Sequence, residues 1–164
     1  KGRQTIYDKL PKSLPRLMSI GRLDLVSEGL LLLTNDGELK RYLELPATGF
    51  LRTYRVRANG IHSEASVEKL RVGIQIDGEH FRPMEVKLDK IQGANVWYTV
   101  TIKEGRNREI RRAFSQIDLI VNRLIRVSFG LFKLETLRAG EIEEVVPGVY
   151  IEGWGAVGNL AETN

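Results

Sequence analysis

The 164-residue chain contains no cysteine. That excludes a disulfide framework, a thiolate nucleophile and any cysteine-ligated zinc or iron–sulfur centre. It suits a reducing compartment, and a cytoplasmic location is expected. Histidine is almost as scarce, with only His62 and His80. Neither has a second ligand at metal spacing, so no metal site and no Ser-His-Asp triad is expected, and both read as surface loop histidines. Long apolar runs are missing too. The longest, Leu30 to Leu33, is strand-sized, far short of the ~20 residues that span a membrane. No Walker loop is present and no G-x-G-x-x-G follows a strand, so the 16 glycines read as turns. There is no internal repeat and no Pro-, Gly- and Ser-rich linker. The expected organisation is one domain over residues 1–150 and a C-terminal tail over 151–164 with no assigned role. The chain opens at Lys1 in polar residues without a secretion-signal pattern, as expected of a fragment whose upstream part is missing.

What is present is an ordinary globular composition, 42% hydrophobic and 28% charged, with a net charge of +4. The core can be sizeable without staples, and a monomer is the expected state. The cations cluster at Arg52, Arg55 and Arg57, at Lys103 to Arg112, and at Arg123 and Arg126. Glu141, Glu143 and Glu144 gather near the end. Such a distribution is compatible with a polyanionic partner.

Periodicity predicts a short helix over Arg3–Leu10, stopped by Pro11, and a brief strand over Met18–Ile20. A polar loop over Gly21–Glu28 and a buried strand over Gly29–Thr34 follow. Asn35 and Glu38 have capping-box spacing, ahead of an apolar Leu39/Leu43 helix face. Thr53–Ala58 alternates, with Tyr54, Val56 and Ala58 on one face and Thr53, Arg55 and Arg57 on the other. Ser63 is the expected cap of a helix to about Arg71. Asp77-Gly78 signals a hairpin, and Met84–Ile91 should pair with Val96–Ile102. The turn Glu104-Gly105-Arg106-Asn107 should cap a helix from Arg108 to about Ile117, and strands are expected over Leu124–Val127 and Glu141–Val146. The fold class is α+β, with a mixed, mainly antiparallel sheet flanked by helices.

Three segments could carry chemistry. Gly21-Arg22-Leu23-Asp24 puts a carboxylate and a guanidinium between apolar runs. Such a carboxylate can react if a cation keeps it ionised in a partly dry site, or it can simply cap a turn. In Glu104 to Phe114, helical spacing puts Arg108, Arg111 and Arg112 on one polar side, suited to phosphate, to a buried carboxylate, or to plain solvation. Tyr54, facing inward among Arg52, Arg55 and Arg57, can stack a base or serve as core.

Taken in order, these segments resemble the pseudouridine synthase family that includes ribosomal small subunit pseudouridine synthase A and large subunit pseudouridine synthases B, E and F. The resemblance rests on GRLDLVSEGLLLLTNDGEL (Gly21 to Leu39), RTYRV (Arg52 to Val56), EGRNREIRRAF (Glu104 to Phe114) and NRLIRVSFG (Asn122 to Gly130), within a similarity running from about Arg3 to Val146. Within the family it leans toward large subunit pseudouridine synthase B. It implies isomerisation of a uridine in ribosomal RNA, of the 23S type, to pseudouridine on a flipped-out base, with no cofactor and no metal.

By the same resemblance Asp24 is the catalytic carboxylate, attacking the sugar C1′ or the base C6. Tyr54 stacks on the uracil and is the candidate to take the C5 proton. Arg111 pairs with the aspartate, Ile110 lines the base pocket, and Arg22 supports the flipped nucleotide or fills its space. Arg52, Arg55, Arg106, Arg108 and Arg112 are then expected to hold RNA phosphates. The family's small S4-type RNA-binding domain and the first strand of its catalytic domain have no counterpart in the sequence. Leu45 to Gly49 departs from the family's usual histidine–proline wording. The alternative is a silent RNA-binding module of the same fold acting in ribosome assembly, which would have no need of Asp24 facing a polyanion. A glycosidase would need a second carboxylate, for which Glu28 is the nearest candidate.

Overall fold

The computed structural model describes residues 12–21, 23, 26–45, 48–105, 108–138 and 141–143, with backbone only for 150–151, 155–156 and 160–162. In chain order the elements are β1 (Met18–Ile20), β2 (Glu28–Gly29), β3 (Leu32–Thr34), α1 (Gly37–Glu44), β4 (Arg52–Asn59), α2 (Glu64–Val72), β5 (Ile74–Ile76), β6 (Glu79–Phe81), β7 (Glu85–Gln92), β8 (Asn95–Ile102), α3 (Glu109–Ser115), β9 (Ile120–Phe129), β10 (Phe132–Lys133), β11 (Tyr150–Ile151), β12 (Gly155–Ala156) and β13 (Leu160–Glu162). The helix expected over Arg3–Leu10 lies outside the described residues. The chain forms two compact units. One comprises residues 1–22, 31–48 and 134–164, the other 23–30 and 49–133.

In the first unit β3 is central, pairing antiparallel with β1 and with β13. Leu32 and Leu33 are fully buried, as the apolar run requires of a strand with neighbours on both edges. α1 buries Leu39 and Leu43. Its cap is Asp36, not Asn35. The Asp36 carboxylate accepts the amides of Glu38 and Leu39 at 3.0 and 3.2 Å, and Thr34 Oγ1 accepts the Asp36 amide. Within the tail expected over 151–164, Leu160–Glu162 pairs with β3. Glu141–Glu143 form no strand.

The second unit is built on the sheet order β10-β9-β4-β8-β7, all antiparallel, with β2 added parallel to β9. Side chains alternate across the sheet. Val56, Ala58, Val96, Tyr98, Val100 and Leu124 face α2 and α3, where they meet Val67, Leu70, Ala113 and Phe114. Tyr98 meets Phe114 edge to face at 5.4 Å, a geometry worth ~1 kcal/mol beyond the area buried. Ser63 Oγ caps α2 through the Ser66 amide, and Asp77-Gly78, both at positive φ, turn the β5–β6 hairpin as the dipeptide demands. α3 begins one residue after Arg108, which takes a left-handed φ of 52° and makes no side-chain cap. The helix ends at Ser115, short of Ile117.

His62 is not a surface histidine. Its Nδ1 lies 2.8 Å from the Tyr98 hydroxyl and its Nε2 3.1 Å from Glu64, while Arg71 pairs with the same Glu64 carboxylate and donates to the Val86 carbonyl. This chain of bonds ties α2 to the sheet. Burial, with the Glu64 charge second, pushes the Tyr98 hydroxyl up to about 12.

Candidate active site

Arg22, Asp24 and Arg106 lie outside the described residues. The segment from Val26 onward is described, and its surroundings define the candidate site. Residues 26–30 are bound along β9 by three arginines. Arg111, on α3, donates from Nη2 to the Val26 carbonyl and from Nη1 to the Val121 carbonyl, both at 3.3 Å. Arg123 grips the Glu28 carboxylate with two hydrogen bonds of 3.0 Å, and that pairing raises the guanidinium pKa. Arg126, 3% exposed, donates from Nε to the Leu30 carbonyl at 2.9 Å, while its own carbonyl accepts the Leu30 amide at 2.8 Å. The Leu30 peptide is thus held on both sides by one residue.

Gly29 permits this approach. It sits at φ +106°, and a Cβ there would stand 2.2 Å from the Arg126 carbonyl oxygen. Glycine is required for the conformation and for the contact.

Arg126 stands opposite Tyr54 in the β4–β9 register. Tyr54 is half-buried and packs against the core cluster. Arg52, two residues back on the same face, donates to the carbonyls of Phe50 and Lys103 and lies 4.8 Å over the Phe129 ring. Burial lowers its pKa; of its neighbours Tyr54 raises it, Arg126 lowers it and Glu109 raises it. Arg52, Tyr54, Glu109 and Arg126 are therefore electrostatic neighbours. Glu109 and Ile110, both 3% exposed, enter from the first turn of α3. The site combines an aromatic ring, an apolar wall, one buried and two half-buried guanidiniums, and a bound backbone segment. Such a set can hold a planar base and keep a carboxylate ionised in a partly dry pocket. Among the described residues no group of three or more His, Asp or Glu could hold a metal ion, and no helix is long and apolar enough to cross a membrane.

The structure places Tyr54 against the core cluster that includes Ile110, Arg52 near Tyr54, and Arg111 on the Val26 and Val121 carbonyls. It separates others. Arg55 lies on the opposite face of β4 from Tyr54. Arg111 and Arg112, expected on one polar side with Arg108, turn to different neighbours, because successive helical residues project about 100° apart. Arg112 pairs with Glu79 at 3.3 Å and lies 4.9 Å over Phe81 on the β5–β6 hairpin. Glu28 pairs with Arg123 at an exposed position, away from the partly dry setting a second catalytic carboxylate would need. Arg126 and Gly29 hold the 26–30 segment on β9, and although both lie inside the quoted motifs neither is assigned a role from the sequence. Alternation along β9 carries the missing signal: with Leu124 inward, Arg126 must also face in, where an arginine needs a reason.

Comparison with known proteins matches residues 1–116 to the family described as RNA pseudouridylate synthase. An uncharacterized RNA pseudouridine synthase of Rickettsia bellii is 45% identical over 148 residues, 90% of this chain and 64% of that protein. Ribosomal large subunit pseudouridine synthase B of Haemophilus influenzae is 42% identical over 135 residues, 82% of this chain and 38% of that protein. The chain thus spans less than two thirds of the length of these relatives. A solved structure described as a pseudouridylate synthase superposes with a TM-score of 0.71 at 33% identity, covering 84% of this chain and 60% of that one.

Proposed function

Because the chain belongs to the RNA pseudouridylate synthase family, we propose that it isomerises a uridine of ribosomal RNA, in the large-subunit RNA, to pseudouridine. Asp24 is the attacking carboxylate in this reading. The N1–C1′ glycosidic bond breaks, the uracil turns, and a C5–C1′ bond forms. C5 gives up its proton and N1 ends protonated, so no atom is gained or lost. The flipped uracil stacks on Tyr54 against Ile110, with Arg111 keeping Asp24 ionised and Arg22 supporting the displaced nucleotide. Arg52, Arg106 and Arg108 supply attraction to the RNA backbone. The names of the synthase B relatives support the large-subunit target. No metal or cofactor enters the chemistry.

One observation carries the reading. The segment that follows Asp24 is docked onto β9 by Arg111 and Arg126, and Arg126 is the register partner of Tyr54. Asp24 precedes Val26 by two residues in the sequence, and Arg111 donates to the Val26 carbonyl, which supports the reading.

The test compares Asp24→Asn with the unchanged protein on ribosomal RNA transcripts, mapping pseudouridine by carbodiimide-dependent primer-extension stops and following RNA binding in parallel. A stop made only by the unchanged protein, with binding kept by both, is expected. Equal stops from both proteins would remove Asp24 from the chemistry. Binding by both with no stop from either would favour a silent RNA-binding module.

A further inference from the structure

The face of the sheet turned away from the helices carries a second constellation. Trp97 on β8 projects there, in register with Arg57 of β4 on one side and Lys90 of β7 on the other. Three cations converge on its ring: the guanidinium carbons of Arg55 and Arg57 lie 4.7 and 5.7 Å from the centroid, and Lys90 Nζ lies 5.9 Å away. None of the three is ion-paired with a carboxylate among the described residues. Arg57 is braced instead by an amide, Asn122 Oδ1 at 2.6 Å, which is fixed in turn by Asn95 at 3.0 Å. Asp89, on the same face, accepts from the Thr99 hydroxyl at 2.7 Å. Arg123, on the neighbouring strand, is neutralised by Glu28.

Gathering three like charges over one indole costs repulsion that the ring's π-cloud offsets only in part. The carboxylate on this face, Asp89, is turned to the Thr99 hydroxyl and ion-paired with none of the three. Trp97 is 9% exposed on a face that carries the exposed Arg55 and Lys90, which shield it together with Arg57. If an anion drew those side chains aside, a flat aromatic surface would open beside fixed positive charge. That is the chemistry of a single-stranded nucleic-acid platform, with phosphates on the cations and a base on the ring.

We propose that Arg55, Arg57 and Lys90 with Trp97 form a second RNA-binding site, taking an unpaired segment of the RNA distinct from the one that presents the target uridine. The separation follows from the strand itself. Tyr54 and Arg55 are adjacent and point to opposite faces of β4, so one nucleotide cannot touch both. The proposal rests on RNA being the substrate.

The test uses the full chain and the transcript that supports modification, comparing the unchanged protein with the neutral triple variant Arg55→Gln, Arg57→Gln, Lys90→Gln. Each lost phosphate contact to single-stranded RNA lowers the slope of log K against log salt by about 0.7, so the triple variant's slope falls by about 2. Affinity near 0.1 M salt falls on the order of 10²-fold on the same scaling. KM rises while kcat holds. Single Arg55→Gln and Lys90→Gln variants, both at exposed positions, each lower the slope by about 0.7 and guard against a folding defect in the triple. An unchanged slope and affinity in all variants would overturn the second site, leaving the face to an acidic protein partner and the isomerase reading untouched. A lowered slope in a protein that makes no pseudouridine would uphold the RNA face and sink the isomerase reading alone.

Discussion

Replacing Gly29 by alanine should impair the reaction without touching any group that contacts RNA. The new Cβ would stand 2.2 Å from the Arg126 carbonyl oxygen and 2.7 Å from its amide nitrogen, both backbone atoms. An ordinary carbon–oxygen contact needs roughly 3.3 Å, so β2 and β9 must separate by about 1 Å. That movement stretches the Leu30–Arg126 amide bond from 2.8 Å and the Arg126 Nε–Leu30 bond from 2.9 Å toward breaking. Displacing a catalytic group by ~1 Å costs on the order of 10²-fold in rate. The expected outcome is kcat lowered about 10²-fold with KM and RNA affinity within a factor of a few, measured by single-turnover pseudouridine formation and filter binding. Gly78→Ala is the control. It carries comparable left-handed strain at φ +80° but meets nothing within 4 Å, on the β5–β6 hairpin. It should cost ~1 kcal/mol of stability and leave kcat alone. If a folded Gly29→Ala protein turns over at the unchanged rate, the docking of residues 26–30 on β9 does not set the position of Asp24.

Two further outcomes test the framework. Asp36→Ala removes the carboxylate that accepts two α1 amides and should destabilise the protein by about 1 kcal/mol in urea unfolding; no change would mean water replaces the cap. Tyr98, raised to about 12 by burial, should give an ultraviolet difference signal well above the ordinary tyrosine range. The sign follows from linkage. Between its ordinary pKa of about 10 and 12 the folded state holds the phenolic proton and the unfolded state does not, so stability falls as pH rises through that window and is unaffected below it. A tyrosine titration complete by pH 11 would contradict the buried Tyr98–His62 bond.

Much of the second unit was legible because local signals agreed with one another. Ser63 before an amphipathic run, Asp77-Gly78 between short strands, and the alternation of Thr53–Ala58 each have one cheap structural solution, and the chain adopts it. Tyr54 and Ile110 were legible for the same reason, since strand and helix periods both put them inward. Asn35 lost the cap to Asp36 because both residue types cap well and the sequence does not say where the strand ends. Arg111 and Arg112 look equivalent in a run of arginines, and only the hairpin acid Glu79 and the carbonyl of Val26 sort them. His62 is a loop histidine by its neighbours and a structural one by Tyr98, a partner 36 residues away. The pairing of β2 with β9 was the least legible feature. Two residues cannot show a period, and the signal was one buried arginine and one glycine whose reasons lie in each other.

The docking of Leu30 on Arg126 joins residues 96 apart in the chain, and this fixes when the site can exist. During synthesis the Asp24 segment leaves the ribosome long before β9 has been made. At ordinary rates the wait is on the order of 5 to 20 s. The β7–β8 hairpin can close in that interval from contacts a few residues apart, but the 26–30 segment has nothing to lie against until Arg126 arrives. Any chain ending before that arginine has the 26–30 segment and still lacks the strand on which it docks.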